Sequence, residues 1–115
     1  MNVTVYGIPD CTSVKKARRW LEERGIGYQF HDLRADGLEA DLLERLADAA
    51  DWHSLLNKQS KTFRELPDKM SIVQDRAAAL AAMLQHPTLI KRPVLDANSR
   101  VLVGFNESEW ENLLC

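Results

Sequence analysis

The sequence predicts a mixed α/β fold in which a β-α-β unit and a β-β-α unit flank a helical insertion. Strand-like segments rich in β-branched residues lie in the first and last thirds of the 115-residue chain. Apolar residues at helical spacing dominate the middle third. A strand, a helix and a second strand also fit within about the first 33 residues, which is typical of a βαβ unit with parallel strands.

The first unit begins with a β-branched and aromatic strand over 3–6 that ends at Gly7. A helix is predicted from about 13 to 24, because its apolar residues recur at intervals of three and four and Gly25 is typical of a C-terminal cap. The alternating segment 28–33 is predicted as the second strand.

The middle of the chain is predicted to be helical. Its leucines and alanines have helical spacing, and Ser71 with Gln74 has the pattern of a capping box that opens an alanine-rich helix. The predicted order is a helix over 38–50, a short helical turn over 52–56, a polar loop over 58–69 and a helix over 71–84 that closes at His86 and Pro87.

The last third of the chain returns to strands. Segments 94–96 and 101–105 are predicted to pair across a four-residue hairpin connection. Asn106 and Glu109 form an N-cap pair, and they open a final helix that extends to Leu114.

This order of elements is that of a thioredoxin-like fold with a helical insertion between its halves. A cysteine at the turn between the first strand and the first helix agrees with that layout. No linker or change of composition divides the chain. We therefore predict a single thioredoxin-like domain over 1–115, with the helical insertion at about 38–89.

The composition excludes several classes of protein. An apolar fraction of 45% is ordinary for a globular chain, and a net charge of −2 does not favour nucleic acid as a partner. No run approaches the ~20 apolar residues of a membrane span, and the N-terminus lacks a signal-peptide pattern. Two distant cysteines and three isolated histidines predict neither a disulfide framework nor a metal site. We expect a cytoplasmic protein.

Cys11 is the candidate reactive residue. It precedes a helix, where unpaired backbone amides and the positive end of the helix dipole favour a thiolate. Lys15 adds positive charge one turn onward, and the hydroxyls of Thr12 and Ser13 can donate hydrogen bonds to the sulfur or to a bound oxyanion. The alternative is a buried structural cysteine. The polar residues on both sides of Cys11 favour the reactive thiol.

A resolving cysteine is missing from the helix. Position 14 is Val14, so there is no Cys-x-x-Cys pair, and Cys115 stands at the chain end, where we expect no redox role. A single reactive cysteine needs an external thiol to release it from a mixed disulfide. Glutathione is the abundant candidate in the cytoplasm.

Arg92 and Pro93 form a second constellation. A proline directly before a strand is tolerated, and in thioredoxin-like folds a proline here is cis and faces the active-site cysteine. Arg92 is suited to hold a carboxylate or an oxyanion as a bidentate partner. The alternative for Lys91 and Arg92 is a solvated basic pair in a loop.

Taken together, these segments strongly resemble the arsenate reductase (ArsC) family, and within it most closely the YffB-type branch of suggested glutathione-dependent thiol reductases. The resemblance covers nearly the whole chain, including Gly104 and Phe105. It is carried by YGIPDC at 6–11, KKARRWL at 15–21, FHDLR at 30–34 and IKRP at 90–93.

The resemblance implies a function and a set of site residues. Cys11 is the implied nucleophile of a glutathione-dependent thiol reductase that works through a mixed disulfide, with Arg92 binding an anion and Pro93 in cis. Glutathione is the implied co-substrate, a protein disulfide is a further candidate partner, and no bound cofactor is implied. The residues expected to contact substrate or glutathione are Pro9, Thr12, Ser13, Lys15, Arg92 and Pro93.

Two other functions are compatible with the resemblance. Spx regulators, which bind RNA polymerase, share the Cys11 segment, but their redox switch needs a cysteine where this chain has Val14. Arsenate reductases of this family use three arginines around the oxyanion, and only Arg92 matches one of them. Asn57 and Gly104 stand near the other two positions. These departures favour the thiol reductase.

Overall fold

A computed structural model of the chain describes residues 2–115. The chain forms two compact units. One consists of the chain up to Gly37 together with Arg92–Cys115, and the other is Leu38–Lys91. The second unit contains the segment predicted as the helical insertion, while the assignment of the whole chain to a single domain stays a prediction.

The described residues form four strands, seven α-helices and one 3₁₀ turn at Pro87–Leu89. The strands are β1 (Val3–Gly7), β2 (Gln29–Asp32), β3 (Val94–Ala97) and β4 (Arg100–Val103). The helices are α1 (Thr12–Glu23), α2 (Ala40–Ala49), α3 (Trp52–Leu55), α4 (Lys61–Arg64), α5 (Lys69–Gln74), α6 (Arg76–Gln85) and α7 (Glu107–Leu114).

The first unit is built on one four-stranded sheet in the order β2-β1-β3-β4. Strand β1 is parallel to β2 and antiparallel to β3, and β3 is antiparallel to β4. The parallel pair follows from the helical crossover through α1, and the antiparallel pair from a tight hairpin. This topology confirms the predicted thioredoxin-like arrangement of a β-α-β unit and a β-β-α unit.

Helices α1 and α7 cover one face of this sheet with an aromatic core. Trp20 of α1 and Trp110 of α7 pack edge to face, with ring centroids 6.2 Å apart, and Phe105 lies 4.9 Å from Trp110. The Trp110 indole donates to the Gly104 carbonyl at 3.1 Å, so its one polar group is satisfied. The buried members of the cluster are Val3, Val5, Ala17, Trp20, Leu21, Leu95, Ala97 and Trp110.

The second unit is helical, as predicted, but its boundaries differ from the prediction in two places. The segment 58–69 is not a continuous loop, because Ser60 accepts a hydrogen bond from the Phe63 amide and caps the short helix α4. Ser71 does not open the alanine-rich helix. It lies inside α5, and the cap of α6 is Asp75, whose carboxylate accepts from the Ala77 amide at 3.3 Å.

The hairpin between β3 and β4 is tighter than predicted. Ala97 and Arg100 pair with each other as the last ladder residues, so only Asn98 and Ser99 form the loop instead of four residues. Both loop residues have positive φ, 53° and 61°, which a type I′ turn requires. The positive φ of Ser99 has no strong sequence signal, because serine rarely adopts it.

The remaining boundaries agree with the prediction to within one or two residues. Asn106 accepts from the Glu109 amide at 3.1 Å and caps α7, and Gly25 follows α1 with a φ of 69°. Within residues 2–115, no helix is long and apolar enough to cross a membrane.

Candidate functional site

Cys11 occupies the N-cap position of α1. Its backbone is extended, its amide donates to the Ile8 carbonyl at 3.1 Å, and its carbonyl accepts from the Lys15 amide at 3.0 Å. The thiol is free and half-buried. Among the described residues, its sulfur makes no capping hydrogen bond, so the amides of the first helical turn remain available to it.

The electrostatic setting of Cys11 favours a negative charge. The first turn of α1 contains no acidic residue, and its exposed Thr12, Ser13 and Lys15 bring two hydroxyls and a cation to the helix start. The positive end of a twelve-residue helix dipole points at the same place. The start of α1 therefore presents positive potential and hydrogen-bond donors beside Cys11.

Arg92 and Pro93 lie at the start of β3. The Arg92–Pro93 peptide bond is cis, as the resemblance implies. Pro93 is buried and Arg92 is half-buried. The Nη1 atom of Arg92 is itself buried and has no hydrogen-bond partner among residues 2–115. Because a buried cationic donor is costly to leave unpaired, this nitrogen is a ready partner for an anionic ligand.

The sheet brings Cys11 and the Arg92–Pro93 segment to the same end of its two central strands. Tyr6 of β1 is paired with Val94 of β3, so the end of β1 that leads to Cys11 and the start of β3 that follows Pro93 are neighbours. The Pro93 carbonyl is fixed by the Gly104 amide at 2.8 Å. Of the other predicted site residues, Pro9 is exposed in the loop between β1 and α1.

Asp32 is the last residue of β2, at the same end of the sheet, and it is paired with Gly7. Hydrogen bonds from the backbone amides of Ala35 and Arg34 hold the pKa of the Asp32 carboxyl below its usual value. The carboxylate is therefore ionised at neutral pH and is bound to its own turn. This excludes Asp32 as a proton donor to a leaving thiolate.

The sequence patterns did not reveal one close contact beside Cys11, between Gly7 and Val14. Gly7 ends β1, and Val14 packs against it with no exposed surface. The alternation of Val3, Val5 and Gly7 on one face of β1 was the available signal, because it places Gly7 under the helix.

Among the described residues, no group of three or more His, Cys, Asp or Glu side chains is arranged to hold a metal ion.

The two cysteines of the chain allow an internal test of this electrostatic argument. Cys115 is exposed at the C-terminal end of α7, where the helix dipole opposes a thiolate. We expect iodoacetamide to alkylate Cys11 about tenfold faster than Cys115 at pH 6.5, as measured by peptide mass spectrometry. Denatured protein is the control, since both cysteines should then react alike. Equal rates in the folded protein would contradict an activated Cys11.

Comparisons with known proteins agree with the geometry. The sequence model of the ArsC family matches residues 6–113. The solved structure of a protein named YffB superposes with a TM-score of 0.92 at 38% identity, and the alignment covers 99% of this chain and 100% of the other. The solution structure of an arsenate reductase (ArsC) related protein from Brucella melitensis is 44% identical with a TM-score of 0.79, covering 97% and 93%.

A second group of relatives consists of regulators. The global transcriptional regulator Spx of Listeria innocua is 34% identical over 120 residues, which cover 97% of this chain and 86% of the regulator. The resemblance that the sequence motifs carry, to ArsC proteins, to their YffB branch and to Spx, is thereby confirmed.

Proposed function

The chain belongs to the ArsC family, and we propose from that membership and from the setting of Cys11 that it is a glutathione-dependent thiol reductase. One observation carries the proposal: a free, half-buried cysteine occupies the N-cap position of a helix whose first turn has no acidic residue. In the proposed reaction this thiolate is the nucleophile. The proposal places the reaction in the cytoplasm, where reduced glutathione is abundant.

The proposed cycle has two exchanges. The Cys11 thiolate attacks the glutathione sulfur of a substrate mixed disulfide, the substrate leaves as a thiolate that takes a proton from water, and glutathione becomes disulfide-bonded to Cys11. A second glutathione thiolate then attacks the glutathione sulfur of that adduct and restores Cys11. The net result is release of the substrate thiol and formation of glutathione disulfide from the substrate's glutathionyl group and one reduced glutathione.

The proposed glutathione site uses Arg92. Its buried, unpartnered Nη1 atom supports binding of a carboxylate, because glutathione carries two carboxylates and arginine binds them bidentately. Pro9, Thr12, Ser13, Lys15 and Pro93 are the further proposed contacts to substrate or glutathione. All five belong, with Cys11 and Arg92, to the unit that contains the four-stranded sheet, which supports this assignment.

Turnover tests the proposal directly. A glutathionylated peptide is incubated with reduced glutathione, and release of the peptide thiol is followed with and without the protein. We expect release above the uncatalysed rate in proportion to protein concentration. A rate that stays at the uncatalysed level over a panel of glutathionylated peptides would contradict a reductase.

Arg92→Lys tests the proposed anion contact. The substitution keeps the charge but removes the planar fork, so we expect weaker binding of S-methylglutathione by about 1 to 3 kcal/mol, or roughly 5- to 150-fold in Kd. Calorimetry measures the affinity, and this unreactive thioether keeps the exchange chemistry out of the result. The matched control is Arg100→Lys at an exposed position of β4. Equal affinity of wild type and Arg92→Lys would remove Arg92 from the site.

The second candidate function is a protein-binding regulator of RNA polymerase. The 34% identity with an Spx regulator favours it. Because Val14 stands where the switch needs a cysteine, such a regulator would lack a disulfide switch at Cys11. Binding to purified RNA polymerase, unaffected by substitution of Cys11, would support this alternative. Arsenate reduction ranks third, because Arg92 is the one arginine that matches the expected oxyanion site.

A further inference from the structure

The close contact between Gly7 and Val14 has a consequence for Cys11. We infer that Gly7 is a positioning residue, which lets the first turn of α1 lie directly on the sheet and thereby fixes where the amides of that turn stand relative to Cys11. This inference rests on the proposed role of the Cys11 thiolate. It assigns a function to the one residue of β1 that faces α1 without a side chain.

Strand β1 shows why the helix converges on the sheet at this point. Side chains alternate along a strand, so Val3, Val5 and Gly7 point to the same face. Val3 and Val5 belong to the core that includes Ala17 and Leu21 of α1. The valine side chains therefore keep the later turns of α1 one side-chain width away from the backbone of β1. Because Gly7 has no side chain, α1 approaches the backbone of β1 more closely where the helix begins.

The space at Gly7 is too small for any side chain. A Cβ atom added there would lie 2.7 Å from Cγ2 of Val14, 3.3 Å from Cγ1 and 3.6 Å from Cβ. Carbon atoms in contact prefer separations of about 3.5 to 4.0 Å. Because valine keeps one strongly preferred rotamer in a helix and both methyl groups face Gly7, rotation of Val14 does not relieve the contact. The first turn of the helix has to move.

The sheet side of the contact does not follow such a movement. The Gly7 carbonyl accepts from the Leu33 amide at 2.9 Å, and the Cys11 amide donates to the Ile8 carbonyl at 3.1 Å. Cys11 is therefore tied to the end of β1. Val14 is the third helical residue after this N-cap, and its amide is among those that can donate to an N-cap side chain. A displaced Val14 changes the position of that amide relative to Cys11.

The position of Gly7 in the sheet extends the effect to the rest of the site. Gly7 is paired with Asp32 on one side, and its predecessor Tyr6 is paired with Val94, which directly follows Pro93, on the other. The helix start thus rests on the central strand between these neighbours. A side chain at Gly7 would therefore also move the amides of the first helical turn away from the start of β3, which follows Arg92 and Pro93.

The test is a double-mutant cycle on Gly7→Ala and Val14→Ala in a Cys115→Ser background. We measure the rate of Cys11 alkylation by iodoacetamide from pH 5 to 9 and the thermal unfolding of each variant. With Val14 present, Gly7→Ala should slow alkylation about five- to tenfold at pH 6.5 and move the pH profile upward. In the Val14→Ala background, the same substitution should change the rate less than about twofold, because the methyl groups are gone.

Gly27→Ala is the matched control. Gly27 has no described atom within 4 Å of an added Cβ and no positive φ, so this substitution should leave the alkylation profile unchanged. If Gly7→Ala does not fold, Val14→Ile enlarges the other partner and should also slow alkylation. A lower melting temperature with an unchanged pH profile in these variants would overturn the positioning role. A wild-type Cys11 no more reactive than a free cysteine would overturn the proposed function and this inference together.

Discussion

The Cys11→Ser variant is expected to lose reductase activity by at least about 10³-fold, down to the uncatalysed rate. Disulfide exchange needs a sulfur nucleophile, and a serine hydroxyl neither ionises at neutral pH nor attacks a disulfide. The proposed stabilisation of a thiolate by the helix terminus does not help an alcohol. Release of peptide thiol from a glutathionylated peptide measures the loss.

Cys115→Ser is the matched control for this variant. Cys115 is exposed at the end of α7, and the proposed cycle does not use it, so activity should stay within about twofold of wild type. The fold should tolerate both substitutions, because neither thiol belongs to the buried core. Activity that survives in Cys11→Ser and disappears in Cys115→Ser would assign the nucleophile to the chain end.

Local patterns predicted the fold wherever a single residue type has a strong backbone preference. The helix stop at Gly25 and the cap of α7 at Asn106 were both predictable, because glycine and asparagine favour those positions. The order of strands around α1 also followed, since a strand, a short helix and a second strand leave one parallel arrangement. The cis form of Pro93 was expected only through the family resemblance, because few X-Pro bonds are cis.

One of the errors occurred where two local patterns compete. Ser71 with Gln74 has the spacing of a capping box, yet Asp75, which directly follows Gln74, is also a good N-cap, and it opens α6 in the structure. Neither pattern is stronger in the sequence alone. In the structure the backbone breaks at Asp75, which ends α5 as its C-cap and opens α6 as its N-cap.

The site was only partly predictable for a similar reason. Cys11 and Arg92 were identified because their side chains carry chemistry. Gly7 was treated only as a strand end, because a glycine that matters for the space beneath it looks the same as one in a loop. The contact with Val14 at 2.7 Å from an added Cβ appears only once α1 is placed on the sheet.

The absence of a resolving cysteine gives the last prediction. In the wild type, oxidised glutathione should form a lasting adduct on Cys11 that only an external thiol removes. Val14→Cys should convert this adduct to an internal disulfide between Cys11 and the introduced thiol. That thiol stands three residues from Cys11 on the first turn of α1, a spacing at which side chains meet. Cysteine has one γ atom where valine has two, so the contact with Gly7 is kept without added crowding.

The expected effect is a shortening of the adduct lifetime by about 10²-fold or more, because an attacking thiol on the same helical turn has a high effective concentration. Intact-mass spectrometry after treatment with oxidised glutathione follows the loss of the adduct, in a Cys115→Ser background. Val14→Ala is the matched control, since it also replaces the valine by a smaller side chain but has no thiol, and it should keep the adduct. An adduct as durable in Val14→Cys as in Val14→Ala would contradict the geometry. Spontaneous formation of a Cys11–Cys115 disulfide in the wild type would contradict the single-cysteine cycle, because Cys115 would then be the resolving residue.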